Sequence, residues 1–156
     1  MFLGFLVVAM PVGAISKEQT DAISKRCDTI QSSLKLLQKQ DARARVYLGG
    51  QYETILSKYM IPLNVRLVEN SLASPKLTEN QNDFAAAKKT FNDDYISYQQ
   101  KLEELVTTDC KKAPEEFYDK LVKVRSKRKT VSQDVSKLRE IMNRQVELVK
   151  GLKEKI

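Results

Sequence analysis

The densest group of side chains that could bind a ligand is the basic segment KVRSKRK at positions 123–129. Its cationic residues are Lys123, Arg125, Lys127, Arg128 and Lys129. Clustered Lys and Arg attract polyanions such as anionic lipid headgroups, envelope polymers and nucleic acid phosphates. Aromatic residues that would stack on bases do not interleave with the segment, so nucleic acid is not the expected partner. The segment predicts a polyanion-binding or membrane-surface site, and its alternative role is a solvated helix face.

The net charge of +7 comes entirely from the C-terminal part of the chain. Residues 1–110 contain 13 Lys/Arg and 13 Asp/Glu, which cancel, whereas residues 111–156 contain 14 Lys/Arg and 7 Asp/Glu. The excess therefore belongs to the last predicted helix and the loop before it. Attraction of an anionic partner is expected along this part of the chain.

The sequence lacks the residues on which most catalytic and metal sites are built. It contains no His, the commonest general base and metal ligand. Two cysteines cannot alone form a thiolate zinc site, and Gly49-Gly50 lacks the spacing and the Lys of a phosphate-binding loop. The acidic pairs Asp93-Asp94, Glu103-Glu104 and Glu115-Glu116 are sequence neighbours, which do not face each other on a helix. We therefore predict no enzymatic activity, no cofactor and no metal site.

Cys27 and Cys110 are the only cysteines, and they lie 83 residues apart. In an exported chain an even number of cysteines favours a disulfide. A bond closing a loop of this length would stabilise the fold by about 4–5 kcal/mol on the chain-entropy model. We predict that these two residues are bonded; two free, half-buried thiols are the alternative.

The first residues have the pattern of a secretory signal peptide. An apolar segment covers Phe2 to Met10, and Pro11 and Ala14 follow it. It is too short for a spanning helix, which needs about 20 residues. No Lys or Arg precedes it, as one would in a typical signal, and a start upstream of Met1 is one explanation. We predict a signal peptide at 1–14, with its start either at Met1 or upstream of it, and one domain at 15–156.

Export would place the mature protein in a periplasm, in a cell envelope or outside the cell. Two other interpretations of the N-terminal segment stay open. It could be a retained membrane anchor, which would need residues upstream of Met1, or a buried segment of the fold.

Apolar residues separated by steps of three and four form three long seams, the spacing typical of coiled coils. The first seam comprises Ile23, Cys27, Ile30, Leu34, Leu37, Asp41, Ala44 and Leu48, and resumes with a shift at Tyr52, Ile55, Tyr59 and Leu63. The second comprises Phe84, Lys88, Phe91, Tyr95, Tyr98, Leu102 and Leu105. The third comprises Phe117, Leu121, Val124, Arg128, Val131, Val135, Leu138, Met142, Gln145, Val149, Leu152 and Ile156. Arg128, a charged residue on the third seam, is expected either to extend out of the core or to face a carboxylate of a neighbouring helix.

These seams predict an all-α fold: an elongated antiparallel three-helix coiled coil, made of a long helical hairpin and a third helix. The predicted helices cover 17–71, 78–111 and 114–155. Gly49-Gly50 and Pro62 are expected to bend or break the first helix.

The predicted disulfide favours three helices over four. If the first helix is continuous, an antiparallel second helix brings Cys27 and Cys110 to the same end. With the turn placed at Pro75, however, the two arms differ by 13 residues, which a bend would have to absorb.

Taken together, these features favour an exported helical coiled-coil protein with a structural or interaction role and no catalytic activity. It would bind a protein partner, or associate with itself, through its helical seams. The alternatives are a polyanion- or membrane-surface-binding module that uses the basic third helix on an anionic envelope polymer or lipid headgroups, and a membrane-anchored form that retains the N-terminal segment.

Overall fold

The computed structural model describes residues 15–153, and within this range the fold is an all-α helical bundle without strands, as predicted. The helices are α1 (Lys17–Lys25), α2 (Cys27–Thr54), α3 (Ile61–Glu69), α4 (Pro75–Val106) and α5 (Pro114–Lys153), and a π-helical turn, Ile55–Met60, joins α2 to α3. The predicted signal peptide at 1–14 lies outside the described residues. No helix within 15–153 is both long and apolar enough to cross a membrane.

The elements α1, α2, the π turn and α3 follow one another without a loop and form what we call the first arm. A capping box begins it, in which the Ser16 hydroxyl accepts from the Gln19 N–H and the Gln19 side chain accepts from the Ser16 N–H. Gly49 and Gly50 lie inside α2, which continues unbroken through them. The distortion lies instead before Pro62, where the Ile61 N–H bonds to the Leu56 carbonyl five residues back. Pro62 has no N–H and its ring crowds the preceding turn, so the wider π turn accommodates it.

The first arm ends in a Schellman motif that reverses the chain. Ser71 has φ 57°, the Ser71 N–H bonds to the Val68 carbonyl, and the Leu72 N–H bonds to the Leu67 carbonyl. The next helix begins at Pro75 with Ser74 as its N-cap, which corrects the predicted start at Thr78. Proline suits this first position because its missing N–H would have no partner inside the helix.

Side-chain contacts fix the register of the hairpin that the first arm makes with the following segment. They join Asp28 to Lys111, Gln31 to Thr108, Asp41 to Tyr98, Glu53 to Lys88 and Asn64 to Leu77. The two residue numbers of each pair add up to 139–141, so the hairpin reverses near residue 70. The turn placed at Pro75 is therefore wrong, and the 13-residue mismatch that followed from it disappears.

Helix α4, which corresponds to the predicted helix at 78–111, ends at Val106 rather than at position 111. A short connection follows, in which the Asp109 carboxylate accepts from the backbone N–H groups of Lys111 and Lys112. The next helix, α5, begins at Pro114 as predicted and carries Glu115 and Glu116 in its first turn. Negative charge at this end opposes the positive end of the helix dipole.

Two clusters of buried side chains form the core. The first surrounds the Cys27–Cys110 disulfide, whose Cα atoms are 5.5 Å apart, and includes Leu102, Leu105 and Phe117. The second comprises Tyr52, Leu56, Met60, Phe84, Phe91, Leu138 and Ile141. Most of these residues lie on the three predicted seams, so the seams do supply the core. The coiled-coil arrangement of the helices remains a prediction.

We expect Leu102→Ala and Leu138→Ala each to lower the free energy of unfolding by about 2–5 kcal/mol, since both side chains are fully buried and truncation leaves a cavity. Urea unfolding followed by circular dichroism measures this loss. The matched controls are Lys101→Ala and Lys137→Ala, whose side chains are 40% and 56% exposed. Each control should change stability by less than about 0.5 kcal/mol. Equal losses in the two classes would show that the seams are misassigned.

Candidate functional site

A cavity of about 500 Å³ lies between α2 and α5, with α4 beneath it. Both outer helices pack against α4, but no Cα atom of α2 comes within 8 Å of one in α5. The space between them is therefore only partly filled by side chains. We call it the α2–α5 cavity. Its lining comprises Asp41, Ala44, Arg45, Leu48, Phe91, Tyr95, Tyr98, Arg125, Arg128, Lys129, Val131, Ser132 and Val135.

The charged residues of the first and third seams meet in this cavity. The Asp41 carboxylate accepts hydrogen bonds from the Tyr98 hydroxyl at 2.6 Å and from the Arg128 Nε and Nη2 atoms at 3.0 and 3.2 Å. One contact thus joins α2, α4 and α5. It confirms the expectation that Arg128 faces a carboxylate of a neighbouring helix.

This contact favours one protonation state each for Tyr98 and Arg128. Burial raises the pKa of Tyr98 far above its ordinary value, and the hydrogen bond to Asp41 raises it further. The hydrogen bond to Asp41 likewise raises the pKa of Arg128. Tyr98 therefore stays a neutral hydrogen-bond donor and Arg128 stays charged throughout the neutral pH range. The hydrogen bonds to Asp41 thus hold α2, α4 and α5 in place relative to one another.

The remaining charge on the cavity wall is positive. Arg45 lies over the Tyr95 ring, with its guanidinium carbon 5.5 Å from the ring centroid. Arg125 and Lys129 are exposed on α5. None of these three cations has a carboxylate oxygen within 4 Å among the described residues, because the one acid in the cavity, Asp41, is bonded to Arg128.

The floor of the cavity is apolar. Phe91 and Tyr95 of α4 are nearly fully buried, and Leu48, Val131 and Val135 are half-buried around them. The Tyr95 hydroxyl accepts from the Gln99 amide at 2.6 Å, so it has a partner within the bundle. The cavity thus combines an aliphatic and aromatic floor with cationic walls, an arrangement that can bind but that shows no reactive group.

Three of the five cations predicted from the sequence as a binding site lie on the cavity, and two do not. Arg125, Arg128 and Lys129 line the cavity, whereas the exposed Lys123 and the half-buried Lys127 do not. The period of 3.6 residues per turn places the residues of one run on several faces of a helix, which accounts for the division.

Sequence reasoning missed Arg45 on the facing helix, because no basic run surrounds it. Its position one turn after the polar seam residue Asp41 is the signal that could have revealed it. The described residues contain no group of three or more Cys, Asp or Glu side chains that could hold a metal ion.

Two apolar surface features lie towards the reversed end of the hairpin. A second cavity of about 290 Å³ lies between the π turn and α5, among Ile55, Tyr59, Met60, Leu63, Gln145, Val146, Val149 and Lys150. In addition, Ile61, Val65 and Val68 are exposed on α3 and follow steps of four and three. We call these three residues the apolar row; Leu72, beyond the end of α3, is exposed as well.

No protein-family model, curated protein or solved structure matches the chain. The function is therefore inferred from the chemistry of the chain's own surfaces.

Replacing Tyr98 by Phe should lower the free energy of unfolding at pH 7 by about 1–3 kcal/mol, because it removes a hydrogen bond to a charged acceptor. Folding raises the pKa of Tyr98 above its unfolded value of about 10. The resulting stabilisation is fully present below pH 10 and is lost as the pH rises further. Wild-type stability should thus fall more steeply between about pH 10 and 12 than that of Tyr98→Phe.

Urea unfolding at a series of pH values measures this difference. The control is Tyr47→Phe, which alters a side chain that is 67% exposed and should leave the profile unchanged. Parallel profiles for wild type and Tyr98→Phe would contradict the assignment.

Proposed function

We propose that this is an exported, non-catalytic helical interaction protein that associates with a second copy of itself through the apolar row. The observation that carries the proposal is the exposure of Ile61, Val65 and Val68, at 40%, 49% and 64%. These residues repeat the spacing of the buried seams on a solvent-exposed face of α3. Seam spacing on a solvent-facing surface is typical of a helix that packs against a partner.

A second copy is the partner that the apolar row fits best, because the row is self-complementary. An antiparallel copy centred near Val65 brings Ile61 close to Val68 and Val65 close to its own equivalent. Aliphatic side chains of similar size then face one another, as an isologous interface requires. The apolar row spans about two turns, so the association should be weak, with dissociation constants of roughly 10 μM to 1 mM.

Export is supported by two features of the chain. The N-terminal segment is apolar and ends in small residues, as a signal peptide does. The Cys27–Cys110 disulfide joins the first arm to the α4–α5 connection. Such bonds persist in oxidising compartments and are rare in reducing ones. A membrane-anchored form would share the same exposed helical surface.

A second candidate function is polyanion or membrane-surface binding through the basic segment of α5. Two of the five cations in this segment support this function. Arg125 and Lys129 line the α2–α5 cavity and have no carboxylate partner among the described residues. A long polyanion would contact the exposed Lys123 as well.

Val65→Lys and Val68→Lys should each weaken self-association by about 100-fold or more, because each dimer would bury two unpaired ammonium groups. Sedimentation velocity over a range of protein concentrations measures the monomer–dimer equilibrium. The matched controls are Ile96→Lys and Val122→Lys, which add the same charge at exposed apolar residues outside the apolar row, and they should leave it unchanged. A wild-type protein that remains monomeric at about 1 mM would contradict the proposal.

The mature protein recovered from its native compartment should begin near Ile15 and contain one intramolecular disulfide. Intact-mass measurement should give the mass of a chain lacking 1–14, and addition of reductant should raise it by two hydrogens. Recovery of an intact Met1 outside the cytoplasm would contradict cleavage and favour the anchored form. Two free thiols before reduction would contradict the assignment to an oxidising compartment.

A further inference from the structure

We propose that the α2–α5 cavity binds a single-chain anionic amphiphile, a molecule with one aliphatic chain and one anionic head group. The site is separate from the apolar row, since it is formed by α2, α4 and α5 and the row lies on α3. The two proposals can therefore fail independently.

The size and lining of the cavity suit the aliphatic part of such a ligand. A volume of about 500 Å³ falls in the range of small-molecule sites, about 300–1,000 Å³. Leu48, Val131 and Val135 offer aliphatic surface over the Phe91 and Tyr95 rings. Removal of an alkyl chain from water against such a floor is favourable in proportion to the apolar area that it buries.

The charges of the cavity suit an anionic head group. Arg45 on α2 lines the cavity together with Arg125 and Lys129 on α5, so both walls carry cations. Asp41 cannot neutralise them, because its two oxygens accept from Tyr98 and Arg128. A carboxylate or phosphate at the mouth would find donors on either side, while its chain lies on the floor.

Larger ligands fit the cavity less well. Its lining runs from Asp41 to Leu48 on α2, about 10 Å along the axis, which is shorter than the three to four turns of an average docked helix. Next to the cavity, towards the hairpin reversal, Tyr52 and Leu138 belong to one buried cluster. This cluster closes the space between α2 and α5 there. The rings of Phe91, Tyr95 and Tyr98 are at most 6% exposed, so they offer no face for stacking of nucleic acid bases.

Isothermal titration of the oxidised protein with decanoate, 1-decanol and acetate, below the micelle concentration, tests the proposal. Decanoate should bind with a stoichiometry of one per chain and at least 10-fold more tightly than 1-decanol, and acetate should show no saturable binding. Equal affinities for decanoate and 1-decanol, or many weakly bound decanoates per chain, would overturn the anionic site.

Two pairs of variants locate the binding. The double variant Arg125→Gln, Lys129→Gln should weaken decanoate binding by 10-fold or more. Lys123→Gln, Lys137→Gln removes the same charge from exposed residues that do not line the cavity, and should change affinity by less than 2-fold. Ala44→Phe, at an exposed position on the cavity wall, should fill the space and abolish binding, whereas Ala42→Phe, which is exposed outside it, should not.

A thermal melt shows which variants remain folded. The two double charge variants alter only exposed side chains. Their decanoate affinities therefore test the location of the site even if Ala44→Phe disturbs the helix. Equal weakening by the two double variants would mean that net charge alone attracts the ligand, and would overturn the site. Unchanged binding in a folded Ala44→Phe would overturn it as well.

Discussion

The arrangement of this bundle depends on the burial of one continuous face of α4. Phe84, Phe91, Tyr98, Leu102 and Leu105 on this helix are essentially inaccessible to water. α2 and α3 of the first arm pack on one side of this face and α5 on the other. The backbones of two helices that share the same central helix need not approach each other, and here no Cα atom of α2 comes within 8 Å of one in α5. The α2–α5 cavity is thus a consequence of how the core is filled.

The contact among Asp41, Tyr98 and Arg128 is the polar counterpart of that apolar face. An unpaired charge at a seam position would be unfavourable, but Asp41 meets both Tyr98 and Arg128 in hydrogen-bonding geometry. The Asp41 side chain is 18% exposed and the Arg128 side chain is 54% exposed. Ion pairs that are open to water to this extent often add little net stability. We infer that this contact serves mainly to fix the relative register of α2, α4 and α5, because a shift of one helical turn would leave the carboxylate without its donors.

Much of the fold could be predicted from the sequence because the signals for it are local or pairwise. Steps of three and four residues identify the buried faces, Pro114 marks a helix start, and an even number of cysteines implies the bond between Cys27 and Cys110. The hairpin turn was misplaced because Pro75 is easily recognised, whereas the reversal depends on Ser71 in a left-handed conformation. Glycine usually occupies such a position, so serine gives no clear signal there.

The candidate site was only half predictable, for a related reason. A run of cations is visible in one segment, but the other wall of a cavity is supplied by a distant segment whose register is known only after folding. Arg45 is an ordinary surface residue in the sequence and becomes part of the site only because the hairpin pairs Asp41 with Tyr98.

The disulfide and the apolar row lie at opposite ends of the bundle. The disulfide joins the start of α2 to the connection between α4 and α5, whereas the apolar row lies on α3 next to the hairpin reversal. Between them, α2 alone extends about 42 Å. A bond near the termini of the arms limits fraying where the helices have least covalent support. The reversed end needs no such bond, because the chain itself connects α3 to α4 there. That end can therefore expose aliphatic side chains to a partner without loss of the packing that holds the bundle together.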